Sequence, residues 1–380
     1  MKPATREFLR QRFVDYYSRA HLVPPPALPE REWGVVPFSE PGEVRMRRHM
    51  SFADRGQLEQ YIRGVAPAHV YYSTAYYSTP GAPTMQEKNW IGADLIFDLD
   101  ADHLMRGEYH LMLDRVREET QKLLDMLTDE LGFSPGDMVL AFSGGRGYHV
   151  HIRDLSVRRW GSRERREIID YVCGTGLDPA ILLREDRLES GWARRYLDAC
   201  RRYLAGIRSG DREEVMERLT GVEGIGPRRA ERFVENAGAL LADIDARRPL
   251  PVARNRTFDL LRQHDPVFGE LLREQAALAD EPVTTDIKRL IRMPTTLHGG
   301  SGFRVTPLEP QELTDFDPLV DAVAFGDRSI KVDASRPLTI RMLENEYRVQ
   351  RGVETVPEAV AVFLCARGLA EIAGGGSGAS

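Results

Sequence analysis

The alternation of apolar and polar residues divides the chain into three textures. From Thr5 to Arg19, Phe8, Leu9, Phe13, Tyr16 and Tyr17 recur at helical spacing, and "LVPPPALPE" stops that helix because proline cannot continue it. Short segments rich in aromatic and β-branched residues follow, "REWGVVPF", "RHMSF" and "HVYYSTAYYS", with a helix predicted over "ADRGQLEQYIRGV". "DLIFDLDAD" reads as a strand, roughly Tyr109 to Leu131 as a long charged helix, and "DMVLAFSGGRGYHVHI" as strand, glycine turn, strand. Between about Trp160 and Leu272 the pattern changes to helices dense in Arg and Glu, such as "GWARRYLDACRRYLAGI" and "DREEVMERL". The β-rich texture returns in "DEPVTTDIKRLIRMPTTLHGGSGFRVTPL". One more strand, "RSIKVDA", a final helix from Pro357 to Ala373 and the polar tail "GGGSGAS" complete the chain. The pattern predicts an α/β (α+β) core built from residues 1–158 and 273–380, interrupted by a helical insertion over 159–272.

Composition narrows the classes. A chain of 380 residues has room for two compact domains or for one with an insertion. Its 52 Lys plus Arg against 58 Asp plus Glu give a formal net charge of −6, so any nucleic-acid contact has to be local. Cys173, Cys200 and Cys365 are far apart with no CxxC spacing, which argues against a disulfide framework and a structural zinc site. No signal-like h-region and no run of about eighteen apolar residues occurs, so a cytoplasmic setting is expected.

Chemistry concentrates in three blocks. In a strand, Asp94, Ile96, Asp98, Asp100 and Asp102 share one face while Leu95, Phe97 and Leu99 point to the other. Asp98 and Asp100 then stand about 7 Å apart, a spacing at which they hold divalent ions together; oxygen ligands without cysteine favour Mg²⁺ or Mn²⁺. The plain alternative is a strand running into a solvated acidic loop. In "SGGRGYHVHI", Gly144, Gly145 and Gly147 let a ligand approach the backbone, while Ser143, Arg146 and His149 bring a hydroxyl, a forked cation and an imidazole suited to a triphosphate. It is neither a Walker A loop nor a GxGxxG fingerprint, and an ordinary glycine hairpin is the alternative. His151 shares the face of His149 and is expected to be structural. In the third block Asp280 and Asp286 precede Lys288, Arg289, Arg292 and His298, acid before base, as a metal and phosphate site requires; the alternative is a charged amphipathic segment.

Taken together and in this order, "FDLDADH", "SGGRGYH" and "RLIRMPTTLHGGSG", with the upstream "RHMSF" and "HVYYSTAYYSTPGAPTMQEKNWIGADLIF", resemble the catalytic small subunit of the archaeal and eukaryotic DNA primases, over about Glu32 to Pro307. The resemblance implies a mixed-sheet catalytic core with an RRM-like element. It also implies a polymerase that condenses nucleoside triphosphates on a single-stranded DNA template to start primers, with two divalent ions held by Asp98, Asp100 and Asp280. Ser143, Arg146 and His149 match the family's triphosphate turn, Arg292 and His298 its second phosphate-binding pair, and Arg48 a basic residue near the nucleotide. A large-subunit partner carrying an iron–sulfur domain is implied as well. Many archaeal relatives carry a Cys/His zinc knob after the acidic strand; here "HLMRGEYHLMLDRVREE" offers His103 and His110 without cysteine, so no zinc is expected. A repair polymerase of the same superfamily and a non-catalytic nucleotide-binding module are the competing readings.

Within the insertion, "LTGVEGIGPRRAERFVENA", residues 219–236 in outline, resembles a helix-hairpin-helix. Gly224 and Gly226 would form the turn and Val222 and Ile225 anchor it, with Arg228 and Arg229 nearby; contact with template is expected if this is more than an αα-hairpin.

Overall fold

The computed structural model describes residues 1–38, 46–101, 107–183, 191–246, 248 and 250–373. Asp102 and His103, on which parts of the acidic-strand and zinc expectations rest, lie outside the described residues. The chain separates into two compact units. One comprises Met1–Gln121, Phe133–Arg166 and the chain from Ala279 onward; the other comprises Lys122–Gly132 and Glu167–Leu278.

The first unit is mixed α and β. Its strands, in chain order, are β1 (Trp33–Val36), β2 (Arg47–Met50), β3 (His69–Ser73), β4 (Ala75–Tyr77), β5 (Trp90–Ala93), β6 (Leu95–Asp100), β7 (Met138–Phe142) and β8 (Gly147–Ile152). After the excursion into the second unit come β9 (Leu290–Arg292), β10 (Thr306–Leu308), β11 (Ser329–Ala334), β12 (Leu338–Met342), β13 (Asn345–Val349), β14 (Gly352–Pro357) and β15 (Ala370–Ile372). Two four-stranded sheets, ordered β2-β1-β3-β9 and β10-β7-β8-β6, carry the site, and their described pairings are antiparallel.

The opening helix, Pro3–Arg19, begins with proline in its first turn, where the missing N–H costs nothing. Leu9, Phe13 and Tyr17 form its buried stripe at i, i+4 and i+8; Phe13 and Tyr17 join Trp33, Tyr72, Ile96 and Ile291 in one apolar core. In β6 the period of two holds only over its second half: Leu95, Phe97 and Leu99 are fully buried and Asp98 and Asp100 partly exposed, while Ile96, on the face of the acids, is also fully buried. Where the strand starts, Asp94 is buried with Arg31, whose Nη2 donates to Oδ2 at 3.0 Å and whose Nη1 donates to the carbonyls of Ser73 and Thr74.

The ends of the chain differ from expectation. The last helix is Glu358–Ala366, and it gives way to β15 rather than running to Ala373. The third block also opens with a short helix, Glu281–Thr285, where strand texture was expected.

The second unit is helical. Helices Gly191–Ser209, Pro227–Asp245, Arg256–His264 and Pro266–Arg273 enclose Tyr196, Tyr203, Phe233, Phe258 and Phe268. Val222 and Ile225 are buried on either side of the glycine hairpin, and Gly224 has a φ of +86°, which only glycine adopts freely. Residues 122–132 cluster here because Glu130 accepts hydrogen bonds from Tyr171 and Arg195. Among the described residues no helix is long and apolar enough to cross a membrane.

Candidate active site

Strand β6 pairs with β8 so that Asp98 lies opposite His149 and Asp100 opposite Gly147. This puts the acidic strand beside the strand that leaves the glycine turn. The close approach has a steric condition: a Cβ on Gly147 would fall well inside contact with the Leu99 carbonyl oxygen, so no side chain fits. The turn ties itself together through Ser143, whose Oγ accepts from the amides of Gly145 at 3.2 Å and Gly147 at 3.3 Å. Arg146 closes the bend against the acidic strand, its carbonyl accepting from the amide of Ala101.

The third block reaches both. The amide of Asp280 donates to the carbonyl of Asp98 at 2.8 Å, so a residue distant in sequence is fastened to the acidic strand through the backbone. Arg292 lies on β9 opposite Tyr71, its guanidinium over that ring at 5.5 Å, and its Nε is buried without a hydrogen-bond partner. His298 rests on the glycine turn: a Cβ on Gly144, where φ is +73°, would stand 2.8 Å from His298 Cβ. Its Nδ1 faces the Gly300 amide and the Ser301 hydroxyl at 3.2 Å each, and its ring meets His69 edge-on at 4.9 Å.

Charges in this cluster are strongly coupled. Burial, then the neighbouring carboxylates of Asp100 and Asp280, push the Asp98 carboxyl up to about 7, against the opposing pull of Arg292 and Arg289. His149 Nε2 lies 3.6 Å from Asp98 Oδ1, but burial and then Arg292 hold the imidazole well below its ordinary range, so it is neutral and the contact is not an ion pair. His298 is held low in the same way, by burial first and Arg292 next.

Of the residues singled out in the sequence, Asp98, Asp100, Asp280, Ser143, Arg146, His149, Arg292 and His298 thus belong to linked elements of one unit. Arg48 is engaged elsewhere: it reaches the fully buried Glu32 through Nε at 3.1 Å and Nη2 at 3.4 Å. His110 faces Glu108, with Nδ1 at 3.5 Å from the carboxylate. His151 lies buried 3.8 Å from Asp94. Sequence reasoning missed Tyr109, whose hydroxyl donates to the Gly145 carbonyl, and Ser301, whose hydroxyl donates to the Gly144 carbonyl. It also passed over His69. Ser301 sits in "HGGSG", a visible signal; Tyr109 and His69 have none.

These elements bring carboxylates and no thiolate, a composition that would suit a hard cation. Burial first, and then Asp100 and Asp280, raise the proton affinity of Asp98 against the pull of Arg292 and Arg289. Among the described residues no group of three or more His, Cys, Asp or Glu is arranged so that it could hold a metal ion.

Known proteins resemble the chain along almost its whole length. Residues 97–310 match the family model of the DNA primase small subunit. The chain is 54% identical over 377 residues to the DNA primase small subunit PriS of Methanosphaerula palustris, covering 99% of this chain and 100% of that protein. Its identity to the protein of the same name from Methanoregula boonei is 54% over 376 residues, 98% of this chain and 100% of the other. For that of Methanospirillum hungatei it is 46% over 382 residues, 98% of each. With end-to-end similarity at this level, the chain belongs to the DNA primase small subunit family and is a DNA-directed nucleotidyltransferase that makes primers.

Proposed function

We propose that primer synthesis in this chain is carried by Asp98, Asp100 and Asp280, acting on a nucleoside triphosphate seated against the glycine turn and a single-stranded DNA template. The observation that supports it most is the electrostatic one: three carboxylates crowd one strand end, the central one is driven up to about 7, and cationic Arg292 and Arg289 stand at its border. The three aspartates would hold two divalent ions, Mg²⁺ or Mn²⁺. Such ions, when bound, would supply Lewis acidity for the 3′ hydroxyl and neutralise charge on the departing pyrophosphate.

The remaining roles belong to the protein's own groups. Ser143 Oγ accepts from two amides, which leaves its own proton for a phosphate oxygen. Arg146 and Arg292 supply fixed positive charge to the triphosphate, which an ammonium would do with less geometric precision. His149 and His298, kept neutral, give hydrogen bonds without adding charge that would repel the ions. Arg48, with its guanidinium steered by Glu32, lies outside this group and serves the nucleotide only in a secondary role. The name "small subunit" borne by the relatives implies a larger partner, and we assign this chain the catalytic half of such a heterodimer.

The test is unprimed synthesis on single-stranded DNA, with and without a partner subunit. EDTA should abolish incorporation and Mg²⁺ or Mn²⁺ should restore it. D98A and D100A should each lower incorporation by at least about a hundredfold while the circular dichroism spectrum stays that of the parent. Near-normal synthesis by either variant would remove both residues from the metal site. Synthesis that requires a supplied primer would favour an end-extending repair polymerase.

A further inference from the structure

A groove of about 790 Å³ runs along the start of the Pro227–Asp245 helix in the second unit, walled by Arg228, Arg229, Arg232 and Asn236 and, across from them, by Asn255 and Thr257. Arg228 and Arg232 are exposed and have no carboxylate partner among the described residues. One helical turn separates them, about 6 Å along the axis, on one face. Arg229 is used differently. Its Nη1 donates to the Gly224 carbonyl and its Nε to the Thr257 hydroxyl, both at 2.9 Å, so it braces the glycine hairpin against the opposite wall. Against these three cations the wall sets Glu235.

Gly226 leaves the start of this helix uncovered beside the two arginines. It caps the helix with φ −81° and ψ 169°, a conformation open to any residue, and a Cβ there would meet nothing within 4 Å. Glycine is a favoured N-cap, so the helix start itself accounts for it. What its bareness provides is open access to the helix start and the positive end of its dipole; Pro227 has no amide hydrogen and the Arg229 amide donates to the Gly226 carbonyl at 2.9 Å, so in the first turn only the Arg228 amide remains to meet a ligand.

The wall has little with which to read a base. The Asn255 side chain is occupied in accepting from the amides of Thr257 and Phe258, and the Thr257 hydroxyl already accepts from Arg229. Phe233 lines the groove but is buried, so it offers no ring for stacking. Among the described residues, two exposed cations against a single unoccupied amide, that of Asn236, point to a contact made chiefly with the backbone.

We propose that this groove is a second nucleic-acid subsite, gripping the phosphodiester backbone of the single-stranded template through Arg228 and Arg232 without base preference. The proposal rests on the primer-making reading only for which strand is held.

Fluorescence anisotropy of the full chain with labelled single strands, titrated with salt, tests it. R228A/R232A should weaken binding about tenfold and flatten the dependence of log affinity on log salt by about 1.4, two phosphates' worth for a single strand. R228K/R232K should keep the parental slope. G226V should weaken binding several-fold while lowering the melting temperature only by the modest cost of a poorer helix cap, because its side chain occupies open space. In synthesis assays R228A/R232A should raise the template concentration for half-saturation and leave the saturated rate unchanged. Parental affinity and slope in R228A/R232A would overturn the proposal. So would a loss confined to duplex DNA, or a strong base preference removed by the substitutions. A parent chain that binds template normally yet incorporates nothing would instead count against the catalytic reading, and the binding result would stand.

Discussion

A methyl group at position 147 has nowhere to go: it would press on the Leu99 carbonyl oxygen, which is backbone and cannot swing aside. G147A should therefore cost about 3 kcal/mol or more, read as a fall in the urea midpoint, because β8 must leave β6 to admit it. The aspartates show the opposite trade. Asp98's raised proton affinity means that its ionised form is resisted by burial and by Asp100 and Asp280, so the metal-free protein loses stability as pH rises from the ordinary carboxylate range, and the loss is complete above about 7. In EDTA at pH 8, D98N should be more stable than the parent by about 2 kcal/mol, and saturating Mg²⁺ should reverse the order. Histidines give a pH dependence of known sign. Burial, then Arg292, lowers His69 to about 3, so between 3 and the ordinary value near 6.5 the unfolded chain binds the extra proton. This contribution to stability is complete above pH 6.5 and is lost on acidification. H69Q should remove up to about 1.4 kcal/mol per pH unit of that slope, measured by denaturation between pH 4 and 6.5. At this scale the sequence was most legible where a residue's chemistry is itself the signal, as with paired aspartates or a serine and arginine among glycines. Arg31 and Asp94 were not legible, because a buried pair 63 positions apart looks in sequence like two surface charges.

That pair acts on whole elements. Arg31 joins the end of β3 to the start of β6 by donating to Ser73 and Thr74 as well as to Asp94, and Tyr76 donates to the same carboxylate at 2.6 Å. R31A should lower stability by about 3 to 5 kcal/mol in equilibrium denaturation, since Asp94 would be left charged and buried. Elements with an apolar stripe or a stretch of alternation, such as the opening helix and β6, were legible. The C-terminal strands were mostly not: β11 was read, whereas β12, β13 and β14 went unnoticed. The exposed positions of β12 and β13 include Arg341, Glu346 and Arg348 while β14 exposes Val353 and Thr355, so no common alternation marks them, and the β12–β13 hairpin turns on Leu343 and Glu344, at φ 51° and 61°, in place of the Asn-Gly pair that announces such a turn. Val332, Met342 and Val349 supply the buried period that remains in retrospect.

Across the molecule, composition placed the texture change near Trp160, whereas the second unit begins at Glu167 and also takes residues 122–132. Helix Ser162–Cys173 runs through that point without a breaking residue, so no punctuation marks the junction. Net charge of −6 likewise hides the arginine groove, a reminder that binding to a polyanion is decided by local fields.

The tether between the third block and the acidic strand has a consequence of its own. Asp280 is fastened by its amide to the Asp98 carbonyl, and neither atom belongs to a side chain. Evolution or mutagenesis can therefore silence either acid and leave the architecture standing. A disarmed copy would be a competent impostor, able to occupy the places of its working siblings, and co-expression should make it a dominant poison of growth.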